Sequence, residues 1–365
     1  MIKIAQPQIG QEEIDAVSAV LKSGQLASGH NVLQFQKNFA EYLDQGFCIA
    51  TSSGTTALEI TLRALGIKKG EKIITTAFSF IATANAIVHA GGTPIFADVD
   101  ETTMNISTDS IEQIILEQSG IKAILVVHLF GQSCDMDKIS EIAIKHNLLL
   151  IEDCAQAHGA SWKGRKLGTF GDAGAFSFYP TKNMTTAEGG MVVMKDEKLA
   201  KLASQLIQHG IKERNQFEYI GYNYRLSEIS AAIGICQLKK LDHFNSVRRE
   251  NAAYYEEKIK HSDIIKPIEV PGAKHVYNQY TLRILNDKRD AFINYMNRNG
   301  IDVSIYYPYT IPEQLCYRST DFLEKDYENK LEVANRIKHE VVSIPVHLGL
   351  MEDEVERIVT VINQF

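Results

Sequence analysis

Apolar and polar positions along residues 47–194 predict strands and helices in alternation. Seven short apolar runs have the length of β-strands, and they cover residues 47–51, 72–76, 94–100, 123–129, 148–154, 173–179 and 189–194. Helical spacing of apolar residues separates the early runs, at 56–65, 80–90 and 110–118. Strands that alternate with helices need crossover connections, which generate a mainly parallel sheet. The pattern therefore predicts an α/β fold with a mainly parallel seven-stranded sheet flanked by helices.

Residues typical of helix ends support the three early helices. Gly66 and Gly91 each follow the last periodic residue of a helix, which is a common C-cap position. Asp109, with Glu112 three positions later, is the expected cap at the start of the third helix.

The pattern becomes mostly helical after residue 195 and then changes again. Helices are predicted at 196–209 and at 226–260, and the second is long enough to lead out of the sheet. Shorter strands and helices alternate in the remainder of the chain. We therefore predict a large domain of residues 1–244 and a smaller C-terminal α+β domain of residues 245–365. Within the large domain, residues 1–25 are candidates to pack against the smaller domain.

The composition of the chain excludes several classes of protein. The 365 residues are 45% hydrophobic and carry 38 Lys+Arg against 45 Asp+Glu, a net charge of −7, which excludes disorder. There is no Lys/Arg cluster for nucleic acid or a membrane surface. No apolar run approaches the roughly 18–20 residues of a membrane span, and the N-terminus lacks the pattern of a signal peptide. We expect a cytoplasmic protein that binds neither nucleic acid nor a membrane.

Several common site motifs are missing from the chain. The five cysteines are widely spaced, and neither CxxC nor HExxH occurs, so we expect reduced thiols and no metal site. The sequence also lacks GxGxxG, GxxxxGK[ST] and GxSxG, which argues against a dinucleotide fold, a P-loop and a hydrolase elbow. The predicted sheet must therefore serve other chemistry.

Small polar residues lie between the first strand and its helix. Ser53, Gly54 and Thr55 occupy this position, where backbone N–H groups and hydroxyls at a helix N-terminus can bind a phosphate. An ordinary helix cap explains the same residues, so the motif is informative only together with others.

A carboxylate and a lysine follow in the same predicted sheet. Asp153 ends an apolar strand, at the edge where ligands of open α/β sheets bind, with Gln156 and His158 close behind. Lys182 lies in a short connection between two apolar strands. A desolvated lysine amine there is suited to Schiff-base chemistry, although most lysines are solvated surface residues and strand-end carboxylates often cap loops.

The phosphate loop, the carboxylate and the lysine together match the needs of pyridoxal phosphate. The lysine binds the aldehyde, the carboxylate keeps the pyridine nitrogen protonated and the loop holds the phosphate. The aromatic ring of Phe80 is a candidate to stack on the cofactor.

Longer motifs resemble those of the DegT/StrS family of sugar-nucleotide aminotransferases, a branch of the fold-type I aspartate aminotransferase superfamily. The resemblance covers nearly the whole chain in eight blocks that keep the family's order, including TSSGTTALEI, FSFIATANAI, IEDCAQAHGA and FSFYPTKNMTTAEGG. It implies the fold-type I large domain, pyridoxal phosphate as cofactor and a homodimer with shared active sites.

The resemblance also implies a role for each candidate residue. Lys182 would be the Schiff-base lysine and proton carrier, Asp153 would pair with the pyridinium, and Gln156 would approach the ring hydroxyl. The phosphate would be held by Ser53, Gly54, Thr55 and Ser177, and by Asn223 of the neighbouring subunit, with Phe80 over the ring. Substrate contacts are assigned to His158, Lys212, Arg214 and Tyr309. Without the family, Asn223 would be interpreted as a turn residue, His158 as a core imidazole and Lys212 with Arg214 as solvated loop charges.

The implied reaction is a transamination of a nucleotide-linked sugar. By family habit, L-glutamate donates the amino group and leaves as 2-oxoglutarate, and a keto group at carbon 3 or 4 of a nucleotide-linked hexose accepts it. The amino sugar would enter a surface polysaccharide or a related glycoconjugate. One departure concerns the substrate site: many relatives carry a histidine shortly after the YP of the C-terminal domain, where this chain has Tyr309 and Thr310.

Two alternatives to the aminotransferase are considered. A pyridoxal-phosphate deoxysugar dehydratase has the same fold, but members of that branch replace the lysine that Lys182 matches. A non-catalytic regulator that binds sugar nucleotides is the other alternative, since a fold does not fix a function. Such a regulator has no need to keep both Lys182 and Asp153.

Overall fold

The computed structural model of the chain describes residues 1–320 and 327–365. Within these residues the α-helices are α1 (Gln11–Ser23), α2 (His30–Leu43), α3 (Gly54–Ala64), α4 (Ala82–Ala90), α5 (Thr108–Glu117), α6 (Met136–His146), α7 (Glu197–Leu206), α8 (Glu228–Lys258), α9 (Arg289–Arg298), α10 (Leu315–Arg318), α11 (Glu332–Ile337) and α12 (Glu352–Asn363). None of these described helices combines the length and apolar character needed to cross a membrane.

A seven-stranded sheet forms the centre of the molecule. Its strands are β1 (Phe47–Thr51), β2 (Lys72–Thr76), β3 (Thr93–Ala97), β4 (Ile121–Val127), β5 (Leu149–Asp153), β6 (Ala173–Ser177) and β7 (Gly190–Met194). They lie in the order β1-β7-β6-β5-β4-β2-β3. The pairs from β6 to β3 are all parallel, and only β7 runs antiparallel to its two neighbours. The predicted α/β class with a mainly parallel, helix-flanked sheet is confirmed.

The sheet is buried on both faces, which explains why its strands consist mainly of apolar residues. One cluster of buried side chains joins α2 and α6 to one face, and a second joins α3, α4 and α7 to the other. Residues of β4 illustrate the alternation: Ile124 and Val126 belong to the first cluster, whereas Ala123 and Leu125 belong to the second.

Several predicted element ends differ from the structure by a few residues, and two of them have a clear local cause. The third strand was expected to reach residue 100, but it ends at Ala97, because the Asp98 backbone N–H donates to the Ser110 hydroxyl and its carbonyl accepts from the Ser107 backbone N–H. The predicted cap Asp109 is wrong: helix α5 begins earlier, and Ser107 caps it by accepting from the Ser110 backbone N–H.

A second, smaller sheet lies in the C-terminal part of the chain. Its strands are β8 (Ile264–Ile265), β9 (Tyr280–Ile284) and β10 (Val341–Ile344), and both pairs are antiparallel. Helices α9 and α12 pack on it in a separate apolar core. The chain start joins this core through Ile2, which pairs with Ile301, whereas α1 packs against α8.

Helix α8 continues without interruption through residue 244, the predicted domain boundary. That boundary stays a prediction. Two-residue strands, at Ser161–Trp162, Arg165–Lys166 and Ala273–Lys274, form a small sheet that links the two parts of the chain.

Candidate active site

Asp153 is the last residue of β5, at the carboxyl edge of the central sheet. Its Oδ2 accepts a 2.8 Å hydrogen bond from the Thr83 hydroxyl on α4, and its Oδ1 accepts a 3.0 Å bond from the Ala155 backbone N–H. The side chain is buried. Two donors from separate elements therefore hold this carboxylate in one orientation.

The Asp153 carboxylate lacks a cationic partner in direct contact among the residues that the structure describes. Burial raises its pKa above the usual value, while the two hydrogen bonds and the more distant charges of Lys182 and His128 act in the opposite direction. A cationic ligand group placed against Asp153 would relieve the cost of burying this charge.

The neighbouring Glu152 faces a different environment and has a structural role. Its two oxygens accept hydrogen bonds from the backbone N–H groups of Gly168, Phe170 and Gly171, at 2.7–2.8 Å. The His128 imidazole lies 3.1 Å away and completes the set. These donors occupy both oxygens of the Glu152 carboxylate.

Lys182 lies in the connection between β6 and β7, where a tight turn places it near Asp153. Its backbone N–H donates to the Tyr179 carbonyl, and the connection closes where the Phe178 backbone N–H donates to the Gly189 carbonyl. Desolvation lowers the pKa of the Lys182 amine to about 8, although the nearby Asp153 charge acts to raise it. A lysine with this pKa is neutral more often near pH 7 than a surface lysine and is a better nucleophile.

Two other asparagines anchor Asn183, the residue that follows Lys182. The Asn183 amide donates to the Asn245 side chain on α8, at 2.7 Å, and to the Val276 carbonyl. Its oxygen accepts from the Asn278 amide, also at 2.7 Å. All three side chains are buried. The sequence analysis did not identify this network, because its members are far apart along the chain.

The predicted phosphate loop forms the start of α3. The Ser53 hydroxyl caps the helix by accepting from the Thr56 backbone N–H at 3.2 Å. The backbone N–H groups of Gly54 and Thr55 donate to no residue in the described part of the chain, so they are available to an anion.

Glycines allow this loop to lie directly on the sheet. A Cβ atom at Gly54 would come within 2.5 Å of the Ser177 Cβ, and one at Gly190 within 2.3 Å of the Ser53 carbonyl oxygen. The start of α3 thus packs against the ends of β6 and β7 without space for a side chain. Ser53, Gly54 and Ser177 are brought together as the sequence analysis expected of a cofactor site.

Gln156 and His158 lie behind Asp153 in buried positions. The Gln156 oxygen accepts from the Phe130 backbone N–H at 2.6 Å, and its amide donates to the Tyr307 hydroxyl at 2.7 Å. The His158 ring packs against Phe176 and Phe178, with centroids 5.4 and 5.6 Å away. Burial lowers the pKa of His158 to about 3, so its imidazole is neutral.

Tyr307 belongs to the C-terminal part of the chain, and the sequence analysis did not single it out. It is buried, contacts Phe78 and Phe130 through its ring, and hydrogen-bonds to Gln156 through its hydroxyl. Tyr307 directly precedes Pro308, in the YP motif after which many relatives have a histidine. This position in the sequence could have identified it as a candidate site residue.

The remaining predicted site residues lie at the surface. Phe80 and Tyr309 are 60% and 58% exposed, and Asn223 is exposed and pairs through its backbone with Gln208. Lys212 and Arg214 lie on a hairpin formed by Ile211–Glu213 and Gln216–Phe217, where the Lys212 amine is 3.6 Å from a Glu218 oxygen. None of the five hydrogen-bonds to Asp153 or Lys182, both of which the structure describes, so their roles stay predictions.

Comparison with known proteins identifies the family of this chain. The sequence model of the DegT/DnrJ/EryC1/StrS aminotransferase family matches residues 7–363. GDP-perosamine synthase from Caulobacter vibrioides is 35% identical over 100% of this chain and 98% of its own. The dTDP-3-amino-3,6-dideoxy-alpha-D-galactopyranose transaminase from Aneurinibacillus thermoaerophilus is 38% identical over 97% of this chain and 96% of its own.

A solved structure agrees with these relatives. DesV from S. venezuelae, in complex with a ketimine intermediate, superimposes with a TM-score of 0.91 at 31% identity, over 97% of this chain and 94% of its own. These findings confirm the predicted family, the predicted fold class and the prediction of an aminotransferase. The chain belongs to the DegT/DnrJ/EryC1/StrS aminotransferase family.

Proposed function

We propose that this protein is a pyridoxal-phosphate-dependent aminotransferase that transfers the amino group of L-glutamate to a keto group of a nucleotide-linked hexose. The observation that supports this most directly is the position of Lys182, a lysine with a lowered pKa, near the buried carboxylate of Asp153 at one sheet edge. Relatives along the full chain bear the names of a GDP-sugar synthase and a dTDP-sugar transaminase. The product would be an amino sugar for a surface polysaccharide or a related glycoconjugate.

The residues present fit pyridoxal phosphate. Asp153 is a buried carboxylate in need of a cationic partner, which a protonated pyridine nitrogen provides. Gly54 and Thr55 offer two free backbone N–H groups for the phosphate, close to Ser177. Lys182 offers an amine for the aldehyde. Phe80, which is exposed just before the start of α4, would cover the ring, and Gln156 would lie near its hydroxyl.

Each of these residues has a defined task in the proposed reaction. Pyridoxal phosphate, when bound, supplies the electron sink that makes the α-carbon proton of an amino acid acidic. The Lys182 amine would take that proton as a general base and would later release it as a general acid. Its lowered pKa keeps a useful fraction of the amine neutral at working pH. The Asp153 carboxylate, which Thr83 and Ala155 orient, would face the ring nitrogen of the bound cofactor.

Substrate binding and assembly extend this proposal. Lys212 and Arg214, on the exposed hairpin, would contact the diphosphate of the nucleotide, and Tyr309 would stand where many relatives have a histidine. His158, which is neutral and buried, would support the site from behind. We also propose a cytoplasmic homodimer in which Asn223 of one subunit reaches the phosphate bound by the other.

The first experiment is an absorption spectrum of purified protein loaded with pyridoxal phosphate, before and after L-glutamate. A yellow protein that loses its colour with glutamate, and does so only when Lys182 is present, supports the proposal. The bleached protein is then incubated with nucleotide-linked 3-keto and 4-keto hexoses, and the masses of the products are determined by mass spectrometry. Gain of an amino group identifies an aminotransferase. Loss of a hydroxyl instead identifies the dehydratase, and a protein that never takes up colour favours the regulator.

A further inference from the structure

Glu59 on α3 is a buried carboxylate that has no task in the proposed reaction. It is 4% exposed and lies in the second turn of the helix whose first backbone N–H groups belong to the phosphate loop. Its Oε1 accepts a 2.8 Å hydrogen bond from Arg63 Nε, and its Oε2 accepts a 3.3 Å bond from the Tyr224 hydroxyl. His89 Nδ1 lies 3.8 Å from the same Oε2. Glu59 therefore joins α3 to a segment that lies 165 positions away in the sequence.

That segment, residues 222–225, lies against the start of the phosphate loop. The Ser52 backbone N–H, directly before the helix cap Ser53, donates to the Tyr224 carbonyl oxygen at 2.8 Å. The other edge of the segment is held by backbone hydrogen bonds to residues 206–209, at the end of α7. A shift of the segment would therefore move Ser52 and, with it, the first N–H groups of α3.

Two tyrosine side chains fix this segment from one side. Alternate side chains of an extended chain point to the same face, and the rings of Tyr222 and Tyr224 stack with centroids 4.8 Å apart and an angle of 11° between their planes. The Arg63 guanidinium lies 5.0 Å from the Tyr222 centroid. Partial burial raises the pKa of the Tyr224 hydroxyl, and the Glu59 charge raises it further. The hydroxyl therefore keeps its proton near neutral pH and donates to Glu59.

We propose that Glu59 is a positioning residue for the cofactor phosphate: by holding Tyr224, it fixes residues 222–225 and directs the free N–H groups of the phosphate loop at the anion. This inference rests on the proposed function, in which that loop binds the phosphate of pyridoxal phosphate. Glu59 acts through Tyr224 rather than on the anion, since two negative charges repel. The Arg63 guanidinium balances the Glu59 charge, which limits this repulsion at the start of α3.

The same segment carries Asn223, to which the proposed function assigns the phosphate bound by the other subunit. Asn223 lies between the two stacked tyrosines in the sequence, so its side chain points to the opposite face of the extended segment, and it is exposed. Holding the tyrosines therefore also holds Asn223. Both routes end at a phosphate, so loss of the Glu59 contact should weaken binding of the phosphate and not of the pyridine ring.

Comparison of pyridoxal phosphate with pyridoxal, which lacks the phosphate, measures this effect. Cofactor-free protein is titrated with each compound, and the absorbance of the bound form gives the dissociation constant. Tyr224→Phe keeps the stacked ring and loses the bond to Glu59, so it should weaken binding of pyridoxal phosphate about 3–10-fold and binding of pyridoxal less than about twofold. Glu59→Gln, which keeps the shape and removes the charge, should act in the same direction.

The matched control is Tyr222→Phe. The Tyr222 ring belongs to the same stack, but its hydroxyl forms no hydrogen bond within the described part of the chain, so both dissociation constants should stay at their wild-type values. Inorganic phosphate gives a second measurement that does not involve Lys182. Its inhibition constant against pyridoxal phosphate should rise about 3–10-fold in Tyr224→Phe and stay unchanged in the control. If Glu59→Gln does not fold, as judged by thermal unfolding, Tyr224→Phe decides.

The other outcomes contradict the inference or the proposed function in distinguishable ways. A wild type that binds pyridoxal phosphate, together with a Tyr224→Phe protein of unchanged affinity, overturns the inference alone. Equal weakening of pyridoxal phosphate and pyridoxal would show a general structural role, and equal losses in Tyr224→Phe and Tyr222→Phe would assign the effect to the stack; both overturn the inference. A wild type that binds neither compound overturns the proposed function, and the inference with it.

Discussion

Thr83 on α4 and Asp153 at the end of β5 are joined by a buried 2.8 Å hydrogen bond, 70 positions apart in the sequence. The bond fixes Oδ2 of the carboxylate, while the Ala155 backbone fixes Oδ1. It connects a helix on one face of the sheet with the strand edge that carries the proposed chemistry. The two hydrogen bonds orient the carboxylate and act against the rise in its pKa that burial causes.

Removing the Thr83 hydroxyl should lower the activity but not abolish it. Thr83→Val leaves Asp153 with one of its two hydrogen bonds, and loss of a bond to a charged group should lower kcat/KM about tenfold. Asp153→Asn, which removes the charge, should cost at least about 100-fold. Steady-state kinetics with glutamate and cofactor titrations measure both.

The control for this pair is Thr360→Val, on the exposed side of α12. Its hydroxyl donates only to the Glu356 carbonyl one turn earlier, so activity should stay at the wild-type level. Equal losses in Thr83→Val and Thr360→Val would show that the Thr83–Asp153 bond has no part in the site.

Lys182→Ala should abolish transamination and preserve the fold. The amine is the only group assigned to proton transfer, and removal of such a base should slow the donor half-reaction by about 10²–10⁴-fold or more. Single-turnover bleaching by glutamate measures the rate, and circular dichroism checks the fold. Lys201→Ala, an exposed lysine on α7, is the matched control. Near wild-type bleaching in Lys182→Ala would remove Lys182 from its role.

Gly54→Ala should damage the phosphate loop through packing alone. The added methyl would lie 2.5 Å from the Ser177 Cβ and 3.1 Å from its Cα, so the start of α3 must move off the sheet. Overpacking of this kind costs about 1–3 kcal/mol of stability. The affinity for pyridoxal phosphate should fall as the free N–H groups shift.

The control for Gly54→Ala is Gly46→Ala, because a Cβ at Gly46 meets no atom within 4 Å. Thermal unfolding and cofactor titration compare the two variants. A Gly54→Ala protein with wild-type stability and cofactor affinity would contradict the assignment of this loop.

Sequence alone predicted the parts of the site that depend on a strand end. Asp153, Lys182 and the Ser53–Thr55 loop each follow an apolar run, and parallel topology brings such ends to one edge. The contacts that complete the site join distant segments: Tyr307 reaches Gln156 across 151 positions, and Asn278 reaches Asn183 across 95.

Helix starts show a second limit on what the sequence alone can predict, and this limit is local. Asp109 was predicted to cap α5, yet Ser107 does so, because both residue types cap helices well and lie two positions apart. The apolar pattern fixes a helix to within a turn, and the choice between adjacent caps depends on packing around it.

Tyr307→Phe should destabilise the protein and leave its fold intact. The hydroxyl accepts the Gln156 amide at 2.7 Å between two buried side chains, and its loss leaves a buried donor unsatisfied at a cost of about 1–3 kcal/mol. Denaturant unfolding measures this difference. Tyr309→Phe, two positions later and exposed, should change stability by less than about 0.5 kcal/mol. Equal stability of the two variants would contradict the buried contact.

The lowered pKa of Lys182 predicts a pH-dependent stability difference in protein freed of cofactor. In the folded state the amine titrates near pH 8, whereas an unfolded lysine titrates near about 10.4. Below pH 8 both states are protonated, and the folded state bears the cost of a desolvated charge. As pH rises from 8 towards 10.4, the folded amine is neutral while the unfolded one still binds a proton, so folding is favoured.

Lys182→Met should therefore be more stable than wild type at pH 7, and this advantage should shrink as pH rises through 8–10.4. Thermal unfolding of both proteins across this range measures the difference. The same comparison in an Asp153→Asn background separates the amine from its neighbouring carboxylate, whose charge raises the lysine pKa. Without Asp153 the amine should titrate still lower, so the advantage of Met should begin to shrink at a lower pH. A difference that is constant with pH would show that Lys182 titrates like an ordinary surface lysine.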